Sequence, residues 1–189
     1  LCECGEDYRI DLDDFRKKIK KADAVLISHM RGHTSDMDVI ISECKQAKIP
    51  LIEDAAHSLG TTWHGNKIGT LGDAGCFSFQ SYKMLNAGEG GIFVTDNAEL
   101  FAKAVIMSGA YEHNWMKHQG EHASFKKWQN KLPLYNMRIN NLSAAIISAQ
   151  LPELNKRIEK GRHNHDFTAE RLNRSPWICV PEKLRPETR

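Results

Sequence analysis

No stretch of this sequence stays apolar for the roughly 20 residues a membrane-crossing helix needs, and its start does not resemble a signal peptide. An excess of one charge is also lacking. The formal net charge is +2, too small to argue for nucleic acid or an anionic membrane as a partner. The pairs Lys17-Lys18 and Lys20-Lys21 fall in one predicted helix and read as a solvated face. Cysteine is sparse, scattered and odd in number, at Cys2, Cys4, Cys44, Cys76 and Cys179. That excludes a fully paired disulfide framework and suggests reduced thiols in a cytoplasmic protein. Cys2-x-Cys4 alone is a weak metal signal. No internal repeat and no low-complexity tract is present.

The 189 residues fit one domain, or one domain with part of a second. With 41% hydrophobic and 26% charged residues, the composition is that of a folded protein. The chain opens without Met and stops at Pro186-Glu187-Thr188-Arg189 without a closing element, so both ends are expected to be cut. Leu12, Phe15 and Ile19 recur at helical spacing, which predicts an amphipathic helix over residues 11–21. The run Ala24-Val25-Leu26-Ile27-Ser28 predicts a buried strand. A second helix follows Gly32, with Met37, Ile40, Ile41 and Cys44 inward and a capping box from Ser35 to Asp38. Residues 50–54 then form a second strand. Strand, helix, strand with short links implies a parallel βαβ unit with a right-handed crossover.

Further strands are expected at Gly75–Gln80 and Gly91–Thr95, a turn at Gly65-Asn66, and a helix over residues 97–109. Residues 111–135 are polar and rich in His and Lys, and read as a long loop. From Asn140 the helical period returns, with Leu142, Ala145, Ile146 and Ala149 on one face. Pro152 should break or restart that helix, after which a charged helix runs to about Asn173.

In open α/β sheets the ligand site lies at the carboxyl ends of the strands. Asp54 sits at such an end, although position alone favours a helix cap or a surface acid. Lys83 follows a strand, beside the glycine-rich Gly88-Glu89-Gly90-Gly91, where backbone can approach a ligand closely. That turn is not a phosphate loop of the Walker or dinucleotide type, and a lysine taken singly is more often a surface residue.

Together the segments are more specific. Glu53-Asp54-Ala55-Ala56-His57-Ser58-Leu59-Gly60, Gly69-Thr70-Leu71-Gly72-Asp73-Ala74-Gly75, Ser78 through Lys83, and Gly88-Glu89-Gly90-Gly91 closely resemble the DegT/StrS family of pyridoxal-phosphate (PLP) sugar aminotransferases. Tyr135-Asn136-Met137-Arg138, with Leu142, Ala144-Ala145 and Gln150-Leu151, is similar to that family's dimer-interface stretch.

The resemblance implies an α/β fold, the three-layer PLP-transferase fold type I. Residues 1–137 would be part of the large PLP-binding domain, with a mainly parallel sheet. Residues 138–189 would supply the interdomain helix and the beginning of a small C-terminal domain. Lys83 is then the Schiff-base lysine and the proton shuttle. Asp54 is the partner of the ring nitrogen, keeping the ring protonated as an electron sink. Ala56 packs on one ring face, His57 lies beside the phenolic oxygen and Ser78 binds the phosphate. Asn136 reaches that phosphate from the neighbouring subunit of a homodimer. The implied reaction is a ping-pong transfer from glutamate or glutamine to a keto sugar, mostly nucleotide-linked. A lysine at position 83, where some sugar-dehydrating relatives have histidine, favours transamination. The residues matched cover about half of such an enzyme. The parts outside the match normally supply another phosphate cup and an aromatic stacked on the free ring face.

Two other readings stand beside this one. His118-Gln119-Gly120-Glu121-His122 fits the H-x-x-E-H pattern of some zinc peptidases. Its Gly120, its lack of helical period and the absence of an obvious third ligand argue against it, and no metal is expected. The second reading is a truncated regulatory or structural remnant of the same fold. The segment from Tyr111 to Leu134, with Trp115 and Trp128, matches no family pattern; it shapes an acceptor pocket or is a plain surface loop.

Overall fold

A computed structural model of the chain describes residues 1–109, 114–117 and 123–181. Helix α1 (Leu12–Lys18) begins at Asp11, whose carboxylate accepts the amides of Asp13 and Asp14, both at 2.9 Å. Acids in its first turn and bases in its last suit the helix dipole. It buries Phe15, and a 3₁₀ turn over Ile19–Lys21 adds Ile19, while the four lysines stay exposed as expected.

Strand β1 (Val25–Ser28) leads through α2 (Met37–Ala47) to β2 (Leu51–Asp54), which pairs with β1 in parallel. The cap of α2 differs from expectation. Asp36 is the N-cap, accepting from the Val39 amide at 3.2 Å. Ser35 instead takes the Ile10 amide at 3.1 Å, tying the N-terminal segment to this loop. A stronger acceptor one residue nearer the helix wins the cap.

A small antiparallel hairpin follows, β3 (Thr62–Trp63) and β4 (Asn66–Lys67). Its turn is centred on His64-Gly65, one residue earlier than expected. Both residues have positive φ, 48° and 77°, as a two-residue type I′ turn demands. Asp38 steadies it by accepting from Trp63 Nε1 (2.8 Å) and meeting His64 Nε2 (2.9 Å).

Strand β5 (Ala74–Ser78) pairs parallel with β2, and β6 (Gly91–Val94) pairs antiparallel with β5. The sheet order is therefore β1-β2-β5-β6, mainly parallel. Successive strand residues face opposite sides. Val25, Ile27 and Leu51 face α1 and α2, in one core with Phe15, Ile19, Met37, Ile40 and Cys44. Burying each large side chain of this kind contributes about 1.5–3 kcal/mol. The opposite face, represented by Leu26 at 68% exposure, is not covered by the described residues.

Helix α3 (Ala98–Ser108) is capped by Asn97. Beyond it the expected loop is partly helical: α4 (Ala123–Trp128) packs on α3. Phe125 stacks on Trp115 with centroids 5.1 Å apart, in a second core with Ala102 and Ile106. A six-residue helix is too short to show a period, and its large apolar residues are the two aromatics Phe125 and Trp128 in place of an aliphatic stripe.

Helix α5 (Asn141–Gln150) and helix α6 (Leu154–Leu172) flank a 3₁₀ turn at Leu151–Glu153, which carries Pro152. The expected inner face of α5 is the outer one. Ser143 and Ile147 are buried, Ile147 against Phe79 and Leu85, whereas Leu142 is 73% exposed and Ile146 is exposed as well.

Candidate active site

The end of β2 carries two carboxylates with opposite fates. Glu53 points into the molecule and is fully buried. It accepts from the amides of Gly69 (2.8 Å), Leu71 (2.6 Å) and Gly72 (2.7 Å) and meets His29 Nε2 at 3.1 Å. Burial pushes its carboxyl up, but His29 and the three amides outweigh burial and hold its pKa below the ordinary value. This acid fastens the 69–72 loop under β5. The packing is close enough that a methyl group on Gly75 would overlap the Gly69 carbonyl.

Asp54, one residue on, points to the uncovered face. Its Oδ2 accepts from Ser28 Oγ at 2.8 Å and its Oδ1 from the Ala56 amide at 3.1 Å. The strand register sets Ser28, Asp54 and Cys76 side by side, with Ser78 two residues beyond Cys76 on the same face. Partial burial and then the Asp54 charge push the Cys76 thiol up, which keeps it protonated. Asp54 has no cationic partner among the described residues.

Lys83 rises from the loop that leaves β5 at the same end of the sheet. This loop closes on itself. Phe79 N donates to Gly90 O (2.8 Å), Ala87 N to Phe79 O (2.9 Å), Ser81 N to Gly88 O (3.1 Å) and Lys83 N to Gln80 O (2.9 Å). Leu85 anchors it, buried against Phe79 and Ile147. From above, Gln150 Nε2 donates to Asn86 O (2.7 Å), and Arg157 Nη1 donates to Met84 O (2.9 Å) and Gln150 Oε1 (2.9 Å). Lys83 is partly buried, and its side-chain amine has no partner among the described residues. Ser78 Oγ accepts from the Gln80 amide at 3.3 Å.

The remaining expected residues lie as follows. Ala56 is partly buried in the turn after Asp54. His57 is exposed, with Nδ1 3.0 Å from Met30 Sδ and 3.4 Å from the Arg31 amide. Asn136 is exposed in an extended segment held to the end of α3 by Tyr135 N to Met107 O (2.7 Å) and Met137 N to Ser108 O (3.0 Å). No hydrogen bond joins Asn136 to Asp54 or Ser78. His118, Glu121 and His122 lie outside the described residues. Among the described residues no group of three or more His, Cys, Asp or Glu is placed to hold a metal ion, and no helix is long and apolar enough to cross a membrane.

The sequence reading missed Ser28, which aims Asp54, and Gln150 and Arg157, which hold the Lys83 loop. Ser28 was signalled by a polar residue ending an apolar strand. Gln150 stood out only within the stretch resembling a dimer interface, and Arg157 had no local signal. The site suits PLP chemically: at one end of the sheet stand an oriented acid and an amine, neither with an ionic partner among the described residues, a small Ala56 and a serine hydroxyl.

The chain matches the DegT/DnrJ/EryC1/StrS aminotransferase family over residues 4–187. It is 35% identical to GDP-perosamine synthase of Vibrio cholerae over 159 residues, 84% of this chain and 41% of that protein. The crystal structure of 3-amino-5-hydroxybenzoic acid synthase superposes with a TM-score of 0.76 at 26% identity, covering 94% of this chain and 44% of that one. That of GDP-4-keto-6-deoxymannose-3-dehydratase with a trapped PLP-glutamate geminal diamine gives 0.78 at 25% identity, covering 92% and 47%. The chain thus spans less than half the length of each. With sequence match and fold in agreement, the chain belongs to the DegT/DnrJ/EryC1/StrS aminotransferase family.

Proposed function

We propose that this chain is the catalytic middle of a PLP-dependent aminotransferase that moves nitrogen from glutamate or glutamine to a keto sugar, most often nucleotide-linked. The pathways served would be sugar, cell-surface polysaccharide or secondary-metabolite biosynthesis, in the cytoplasm. One observation carries the reading: the oriented acid Asp54 ends the strand beside the one whose following loop carries Lys83, an amine without a partner among the described residues.

When bound, PLP supplies a sink for the electron pair left as the donor's α-proton departs. Asp54, fixed by Ser28 and Ala56, holds the ring nitrogen's proton. Ala56 would leave room for the ring, and His57 would serve its phenolic oxygen. Ser78, with Asn136 of a second subunit, would hold the phosphate. Lys83 Nζ would hold the cofactor, and its amine would be the group that moves the donor's α-proton. Residues 1–137 would belong to the large domain and 138–189 to the interdomain helix and the start of a smaller one.

The test is cofactor attachment. Incubation with PLP, borohydride reduction and peptide mass mapping should place the label on the Lys83 peptide. Lys83→Ala should abolish it with unchanged far-ultraviolet circular dichroism, and should slow amino transfer by about 10²–10⁴-fold. Label on another lysine would sink the assignment. No label on an intact fold is the result expected of a non-catalytic remnant.

A further inference from the structure

In the loop that leads to Lys83, Gln80 gives its acceptors to the fold and keeps its side-chain donors. Its backbone carbonyl accepts from the Lys83 amide (2.9 Å) and its side-chain Oε1 from the Tyr82 amide (3.0 Å). A backbone amide can only donate, so the end of the carboxamide that meets Tyr82 is the oxygen, and the nitrogen is the end left over. That nitrogen has no partner among the described residues, although Gln80 is partly buried. Ser78 is in the same condition. Its Oγ accepts from the Gln80 amide at 3.3 Å, which leaves its hydroxyl proton to give. The amine of Lys83 is a third unspent donor on this loop.

The side chains of Ser78 and Gln80 belong to one face. The chain past β5 keeps its pairing with the β6 side, Phe79 N donating to Gly90 O (2.8 Å), and Phe79 is buried against Leu85 and Ile147. Successive residues of an extended chain face opposite sides, which puts Ser78 and Gln80 away from Phe79, on the side of Asp54 and Cys76. Their α-carbons are then about 6–7 Å apart. One phosphate, with a hydrogen bond of about 2.8 Å on either side, spans such a gap. Donors whose own acceptors are already engaged suit an oxyanion.

We propose that Gln80 is a second donor to the phosphate of the cofactor, beside Ser78, with its carboxamide turned outward nitrogen-first by the Tyr82 amide. The proposal rests on the aminotransferase reading, which gives that phosphate to Ser78. Gln80 then has two tasks joined in one group: the oxygen shapes the turn before Lys83, and the nitrogen binds.

Deoxypyridoxine phosphate, a PLP analogue with a methyl group in place of the aldehyde, cannot bond to Lys83, so calorimetric titration with it is independent of the labelling experiment. Deoxypyridoxine without the phosphate isolates the phosphate's share. The parent chain should bind the phosphorylated probe more tightly. Gln80→Glu keeps an oxygen for the Tyr82 amide but removes the donor, and Gln80→Met removes the donor without adding charge. Both should weaken the phosphorylated probe at least about tenfold, as losing one hydrogen bond to a charged group does, and leave the unphosphorylated probe unchanged. A role confined to the turn gives another pattern: Gln80→Glu would be harmless, and Gln80→Met would weaken both probes alike. Either result overturns the proposal, while a parent chain that prefers the phosphorylated probe leaves the cofactor reading standing. Binding of neither probe by the parent chain overturns both.

Discussion

Glu53 and Asp54 are consecutive acids with opposite surroundings because a strand turns successive side chains to opposite faces. Asp54 is left for a ligand, whereas Glu53 serves the fold. Its pKa lies below the ordinary value of about 4.5, so the folded state binds that proton less readily than the unfolded chain. The stability it contributes is complete above that value and is lost as pH falls through the folded pKa. Glu53→Gln removes the charge that four donors face, and should cost about 2–3 kcal/mol at neutral pH while flattening the loss of stability below pH 4.5. Urea unfolding of both proteins between pH 3.5 and 7 measures this. Equal pH slopes would show that the buried acid is not what acid attacks. Asp7, Asp14 and Glu99 also have lowered pKa values, but at the surface, where solvent screens them.

Among the elements, the Lys83 loop shows where local sequence stops being informative. The parallel strands were legible because short apolar runs and a helical period between them leave few arrangements. Asp54 and Lys83 stood out as candidates because strand ends and glycine turns are local features. The bonds that hold the loop are not local: Gln150 to Asn86 spans 64 residues and Arg157 to Met84 spans 73. The face of α5 was misjudged for a related reason. Its apolar residues outnumber its buried ones, and Ile147 finds Leu85 and Phe79 only once the loop has closed. Gln150→Ala should leave the Asn86 carbonyl without this donor and Arg157 without a side-chain acceptor, loosening the loop by about 1–3 kcal/mol. Amides of Lys83 and Ala87 should then exchange with deuterium at least about tenfold faster, with those of β1 and β2 unchanged. Unchanged exchange in the loop would mean that Leu85 alone anchors it.

At the scale of the molecule, the residues proposed to meet the phosphate are not yet together in one chain. Ser78 ends β5, whereas Asn136 is exposed beyond α3, among the exposed apolar side chains Tyr135, Met137, Leu142 and Ile146. An exposed apolar set of this kind is suited to a partner surface, and in a two-fold dimer each patch meets its own copy. A mixing experiment separates a shared site from a self-contained one. Lys83→Ala and Asn136→Ala chains should each bind PLP poorly alone. Once unfolded and refolded together, half of the dimers are mixed, and each mixed dimer has one site with both native residues, so roughly a quarter of all sites should recover. If Asn136 served the site of its own chain, every site in the mixture would lack one residue and none would recover. A Leu142→Asp change in both chains should abolish the recovery by keeping them apart, which ties the effect to this face and not to trace wild-type protein.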